Sequence, residues 1–152
     1  MPVIWLNGTV GSGKSAVGRA LAAQLPGARF LDGDDFATVG PAPERWRAAI
    51  TALLRQVRRL GGKQVLVIAY PLAAADHARV RAACRGRLIV VNLATPLPLV
   101  LRGRGTRKLT PAEQHRARQM QSQAYHRRRF ATATLANTQH PPGRTARQIA
   151  RL

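Results

Sequence analysis

The amino-acid sequence predicts an α/β fold, a sandwich of helices around a five-stranded parallel sheet, and three observations carry that reading. Short apolar segments at 3–6, 28–31, 64–70, 87–93 and 132–136 alternate with helical segments. The first apolar segment runs into a glycine-rich stretch, Gly8-Thr9-Val10-Gly11-Ser12-Gly13-Lys14-Ser15, and from there into helical spacing. Only one helix and one tight return separate Ser15 from Asp32. The opening is therefore a β-α-β unit, whose right-handed crossover makes its strands parallel.

Val3-Ile4-Trp5-Leu6 reads as a buried strand, and Val17, Leu21 and Leu25 lie at helical spacing until Pro26-Gly27 stops them. Between them, Gly8 to Ser15 fits the phosphate-loop pattern G-x-x-x-x-G-K-[ST] at every fixed position. Gly8, Gly11 and Gly13 let the chain bend so that successive N–H groups turn inward and line an anion nest. The following helix aims the positive end of its dipole at the same spot. Lys14 offers a mobile cation to the β and γ phosphates, and the Ser15 hydroxyl is placed to ligate Mg²⁺. The stretch Gly8, Gly11, Ser12, Gly13, Lys14, Ser15 and Ala16 is thus the expected binding site for a nucleoside triphosphate, ATP or GTP.

The second strand, 28–31, ends in Asp32-Gly33-Asp34-Asp35. Ligands of parallel sheets bind beyond the carboxyl ends of the strands, so these aspartates emerge on the edge that carries the phosphate loop. Residues 36–43, with Gly40-Pro41 and Pro43, read as a loop. Residues 44–60 form an amphipathic helix with Trp46, Ile50, Leu53, Leu54, Val57 and Leu60 on its core face. The run 64–70 is apolar throughout, a strand buried on both faces, and an alanine-rich helix follows from 74 to 84. After the strand 87–93, Thr95-Pro96 opens a helix to 101. Gly103 and Gly105 break it amid Arg102, Arg104, Arg107 and Lys108. Thr110-Pro111-Ala112-Glu113 is a capping box with proline at the first helical position, and its helix is expected to reach about residue 129. A strand at 132–136 precedes a second capping box, Thr145 to Gln148, which starts a short terminal helix.

The length of 152 residues fits one domain, 1–152, with a core of its own. The formal net charge is +19, nearly all from arginine, and such a balance points to an anionic partner. The arginines are scattered along the chain, so compositional bias accounts for them as well as a nucleic-acid partner does. The acids are more telling: of six, Asp32, Asp34 and Asp35 fall within four residues. Cys84 is the only cysteine, which leaves no intrachain disulfide. The first residues carry no leader pattern and no run is long enough to span a bilayer, so a cytoplasmic protein without a membrane partner is expected, as monomer or homodimer.

A phosphate loop followed one helix later by D-x-D, here Asp32-Gly33-Asp34, resembles the small P-loop metabolite kinases, among them gluconate, shikimate and adenylylsulfate kinases. Gly40-Pro41 through Arg45-Trp46 is similar to the gluconate kinase segment leading into its second helix. Ala69-Tyr70-Pro71-Leu72, with Asp76 and Arg79, resembles the segment after the third strand of adenylylsulfate kinase. The resemblance implies a three-layer sandwich with strand order 2-3-1-4-5 and a short lid at about 102–110. It implies Asp32 as an anchor for Mg²⁺, Asp34 as acceptor of the substrate hydroxyl's proton, and Asn137-Thr138 as a contact for the adenine ring. Arg104 and Arg107 are the expected lid cations; Arg116 and Arg127 are further candidates there. Arg45 and Arg79 are candidates for an anionic group on the acceptor.

The residues agree with those roles, since phosphoryl transfer needs the triphosphate held, its charge neutralised and the attacking oxygen positioned by an acid residue. Read alone, Asp32 and Asp34 are also the residues of a D-G turn. The chain departs from the group in having no acid at the end of the strand 64–70 and no lysine-methionine segment before Trp46. The acceptor, a small hydroxyl metabolite or hydroxylated antibiotic, is left open. So are a kinase of nucleotide or nucleic-acid ends and a nucleotide-binding switch without transfer.

Overall fold

The computed structural model describes residues 1–60, 62–103, 108–138 and 140–152. Its strands are β1 (Val3–Asn7), β2 (Arg29–Asp32), β3 (Leu66–Ala69), β4 (Leu88–Ala94) and β5 (Ala133–Ala136). All pairings are parallel, in the order β2-β3-β1-β4-β5 that the resemblance implies. The helices are α1 (Lys14–Gln24), α2 (Ala42–Leu60), α3 (Ala74–Ala83), α4 (Leu97–Arg102), α5 (Pro111–Ser122) and α6 (Pro142–Ile149), with 3-10 turns at Gly33–Phe36 and Tyr125–Arg127.

Both faces of the sheet are covered, which is why its central strands carry apolar residues at consecutive positions rather than at alternate ones, with Asn7 and Asn92 as the exceptions in β1 and β4. Val3 and Trp5 of β1, with Leu66, Ile68 and Val90, point to the face covered by Ala49, Ile50, Leu53, Leu54 and Val57 of α2 and by Val80 of α3. Ile4 and Leu6, with Val67, Val91 and Leu93, point to the opposite face, against Val17 and Leu21 of α1 and Ala146 and Ile149 of α6. A third cluster joins Val100 of α4, Leu109 and Ala117 of α5, with Val10 of the phosphate loop packed against it.

Several boundaries differ from the expectation, each for a physical reason. Helix α2 starts at Ala42, because Pro43 occupies its first turn, where a missing N–H costs nothing. Helix α5 keeps its capping box but stops at Ser122 instead of near 129. Ala124 turns into the left-handed region (φ 56°), and the segment beyond is held by side chains of the sheet. Asn7 Nδ2 donates to the Tyr125 carbonyl at 2.9 Å and Asn92 Nδ2 to the Arg128 carbonyl at 3.0 Å. Helix α6 starts at Pro142, so Thr145 lies inside it and caps nothing; its hydroxyl donates to Asn137 Oδ1 at 2.9 Å.

Trp46 is not a core residue. The stripe of α2 that meets the sheet begins at Ala49, and Trp46, one turn earlier, is 37 % exposed, with the Arg116 guanidinium 4.2 Å from its ring centroid. Cys84 is buried, and burial pushes its thiol up to about 11. Among the described residues no helix is long and apolar enough to cross a membrane.

Candidate active site

The carboxyl edge of the sheet carries a cavity of 340 Å³ lined by the phosphate loop, the end of β2 and the segment after β3. The loop leaves β1 at Asn7 and turns through Gly11 and Gly13 at φ 75° and 90°, a region that side chains disfavour. At Gly8 a Cβ would come within 2.7 Å of Ser12 Oγ and 2.9 Å of the Leu93 carbonyl, so only glycine lets the loop close on β4. Helix α1 then begins at Lys14, with its first N–H groups facing the concavity. The Lys14 ammonium folds over the loop, donating to the carbonyls of Thr9 at 2.5 Å and Gly8 at 3.2 Å and to Ser12 Oγ at 3.4 Å.

Asp32, the last residue of β2, is 9 % exposed and divides its carboxylate between two donors. Oδ2 accepts from the Ser15 hydroxyl at 2.6 Å, and Oδ1 accepts from the Asp34 N–H at 3.1 Å. One oxygen thus closes the turn and the other meets the phosphate loop. Asp34 itself is exposed and lines the same cavity as Lys14 and Ser15. Asp35 is exposed and does not line it.

Gly33 sits under the ring of Tyr70, where a Cβ would collide with the ring carbons. Tyr70 is anchored through its carbonyl, which accepts from Trp5 Nε1 at 2.7 Å. Its phenol is pushed up to about 12, first by burial and next by the charge of Asp34, with Arg45 and Arg116 acting in the opposite sense. It stays neutral near pH 7 and lines the same cavity as Asp34. Replacing Gly33 by alanine should destabilise the protein by about 1–3 kcal/mol, through displacement of this ring. Denaturant unfolding measures it, and unchanged stability would contradict the packing.

The structure gathers Gly11, Gly13, Lys14, Ser15, Ala16, Asp32 and Asp34 around one cavity. Ser12 and Asn137 are buried at 0 % and 1 % exposure, and their contact lies under the loop. The Thr138 hydroxyl lies 3.3 Å from His140 Nδ1. Arg104 and Arg107 lie outside the described residues. Arg79 pairs with Asp76 at 3.4 Å and lines a groove with Leu54 and Arg58, away from the phosphate-loop cavity. Arg127 is exposed, and Arg116 is held on Trp46.

Sequence reasoning missed the buried amides Asn7 and Asn92, although the one closes the apolar run of β1 and the other interrupts that of β4. They are register partners, 2.9 Å apart from Asn7 Nδ2 to Asn92 Oδ1, and Asn7 Oδ1 also accepts from the Leu72 N–H at 2.8 Å. They tie the start of the phosphate loop to β4 and to the segment after β3. Thr95, which opens α4 by its sequence, also reaches the loop: its hydroxyl lies 3.0 Å from the Ser12 carbonyl and 2.9 Å from that of Asn137.

This arrangement can be set beside proteins of known structure. A gluconokinase from Sinorhizobium meliloti matches with a TM-score of 0.74 and 22 % identity, over 99 % of this chain and 92 % of that one. A shikimate kinase from Acinetobacter baumannii, in complex with shikimate, matches with a TM-score of 0.71 and 27 % identity, again over 99 % and 92 %. The fold is that of the P-loop small-molecule kinases. The APS kinase of Mycobacterium tuberculosis extends the likeness at a TM-score of 0.64 and 18 % identity, over 99 % of this chain and 94 % of that one. No protein-family model matches the sequence, and no curated protein does. These structural neighbours of the P-loop kinase fold share a transferase chemistry and differ in acceptor.

Proposed function

We propose that the protein is an ATP-dependent kinase that moves the γ-phosphate to a hydroxyl of a small molecule. The observation that carries this is the hydrogen bond between Ser15 and Asp32 at 2.6 Å, formed at the mouth of the phosphate loop and in the same cavity as Lys14 and Asp34. The loop amides and Lys14 bind and orient the triphosphate. Asp34 accepts the proton of the acceptor hydroxyl as its oxygen bonds to the γ-phosphorus and the bond to the β-phosphate oxygen breaks. Tyr70 holds the floor beside Asp34, and Arg45 and Arg116 bring positive charge to that side. Arg104 and Arg107 are assigned to the lid on the strength of the sequence alone.

The donor set fits Mg²⁺, since Ser15 Oγ and Asp32 Oδ2 are hard oxygens side by side. Among the described residues no three His, Cys, Asp or Glu side chains form a metal cage. Ser15 would hold the ion directly and Asp32 would anchor it from behind, with water and phosphate oxygens completing the shell. When bound, Mg²⁺ neutralises charge on the phosphates. Ser15→Ala is therefore expected to raise the Mg²⁺ concentration needed for half-maximal activity more than it weakens nucleotide binding, because the loop amides remain. Identical Mg²⁺ titrations for the two proteins would count against Ser15 as a ligand.

The activity itself is tested by ADP formation against a panel of sugars, sugar acids, shikimate, adenylylsulfate, nucleosides and hydroxylated antibiotics. Stimulation by one small hydroxyl compound is the expected result. Stimulation only by oligonucleotide ends, with steep salt dependence, would move the assignment to nucleic-acid ends. Slow hydrolysis indifferent to every acceptor would leave a nucleotide-binding switch.

A further inference from the structure

Under the phosphate loop a run of hydrogen bonds converges on one carbonyl. The Ser12 carbonyl accepts from Asn137 Nδ2 at 2.6 Å and shares the Thr95 hydroxyl, 3.0 Å away, with the Asn137 carbonyl at 2.9 Å. An acceptor at that end fixes the amide of Asn137 with its nitrogen toward the loop and its oxygen away from it. That oxygen is taken as well, by the Thr145 hydroxyl at 2.9 Å. His140 Nε2 lies 2.7 Å from the same hydroxyl. With the Thr145 proton committed to Asn137, the hydroxyl accepts from Nε2–H, and Nδ1 lies 3.3 Å from the Thr138 hydroxyl. Donors thus run in one direction, from His140 through Thr145 and Asn137 to the loop. Asn137, Thr145, Thr95 and Ser12 are all at most 2 % exposed, so these bonds are made where water does not compete.

The consequence lies in the next peptide unit. In a trans peptide the C=O and the following N–H point in opposite directions. Drawing the Ser12 carbonyl down into the protein turns the Gly13 N–H outward, to the concave side of the loop. Gly13, at φ 90°, is the residue whose backbone permits that turn. Each polar end of the Asn137 side chain is used in this clamp, and its backbone N–H is held by the Ala94 carbonyl at 3.1 Å.

We infer that Asn137 is a positioning residue of the phosphate loop, backed by Thr145 and His140, and not the contact for the nucleobase that the family resemblance suggests. The inference rests on the nucleotide-binding reading above and assigns these residues to the phosphate end of that site. A residue that orients the loop affects every ligand carrying the polyphosphate alike, whatever its base. A residue that touches the base affects only ligands that have one.

The test is the calorimetric affinity of inorganic tripolyphosphate, ATP and GTP for the full chain, with Asn137→Ala, Thr145→Val and Thr145→Ser alongside. Asn137→Ala is expected to weaken all three ligands by the same factor, about tenfold or more, since it removes the amide donor to the buried Ser12 carbonyl and the acceptor of the buried Thr145 proton. Thr145→Val, which keeps the shape and removes the hydroxyl, is expected to weaken all three by about threefold, and Thr145→Ser to restore them. Loss confined to ATP, with tripolyphosphate unchanged, would overturn the inference and return Asn137 to the base. If Asn137→Ala does not fold, the threonine pair decides: wild-type tripolyphosphate affinity in Thr145→Val overturns the clamp. A wild-type protein that binds neither tripolyphosphate nor nucleotide would remove the nucleotide-binding reading and this inference with it.

Discussion

A folded Lys14→Ala protein is expected to lose ATP-dependent transfer by at least about 10²–10³-fold, the loss of a cation that stabilises charge on the transferring phosphoryl group. The fold should survive, because Lys14 belongs to none of the three apolar clusters. Its ammonium rests on the loop, at the Gly8 and Thr9 carbonyls and Ser12 Oγ. Circular dichroism and thermal melting check the fold while a coupled ADP assay measures transfer. Near-normal turnover in a folded Lys14→Ala protein would remove the phosphate loop from the chemistry.

The second large effect separates the two aspartates. Asp34→Asn keeps the size of the side chain but cannot take a proton, so transfer should fall by about 10²–10⁴-fold with little change in the Mg²⁺ requirement. Asp32→Asn should instead move the Mg²⁺ dependence to higher concentration, with part of the rate recovered in excess metal. The contacts motivate this order: Asp32 is the carboxylate on the Ser15 hydroxyl, and Asp34 follows it on the exposed side of the 3-10 turn. Rescue of Asp34→Asn but not of Asp32→Asn by excess Mg²⁺ would reverse the roles. If neither change slows transfer, the D-G-D stretch serves only as a turn.

What was legible in the sequence follows from how locally each feature is determined. The central strands could be read because a strand buried on both faces has to be apolar at each position, as Val3 to Leu6 and Leu66 to Ala69 are. The phosphate loop could be read because its glycines, Lys14 and Ser15 are each required by backbone or ligand within a few residues. The end of α5 could not, because the segment after it is captured by the side chains of Asn7 and Asn92, 118 and 36 residues away in the chain. Thr145 was misread for a related reason. The pattern of a capping box is the same whether its hydroxyl meets its own helix or, as here, Asn137. Trp46 sits on the helical stripe by spacing, but the surface that α2 meets begins one turn later, and periodicity alone does not say where a neighbour starts. The contribution of Tyr70 was hidden because it depends on the absence of a side chain at Gly33, 37 positions earlier.

The central claim is that this site moves phosphate to a hydroxyl, and the fate of the γ-phosphate tests it most directly. The protein would be incubated with γ-labelled ATP, Mg²⁺ and the acceptor panel, and the labelled products separated. The account predicts label in a phosphomonoester of one small hydroxyl compound, formed by the wild-type protein and lost in Lys14→Ala and Asp34→Asn. Label recovered only as inorganic phosphate, at a rate no acceptor changes, would contradict it.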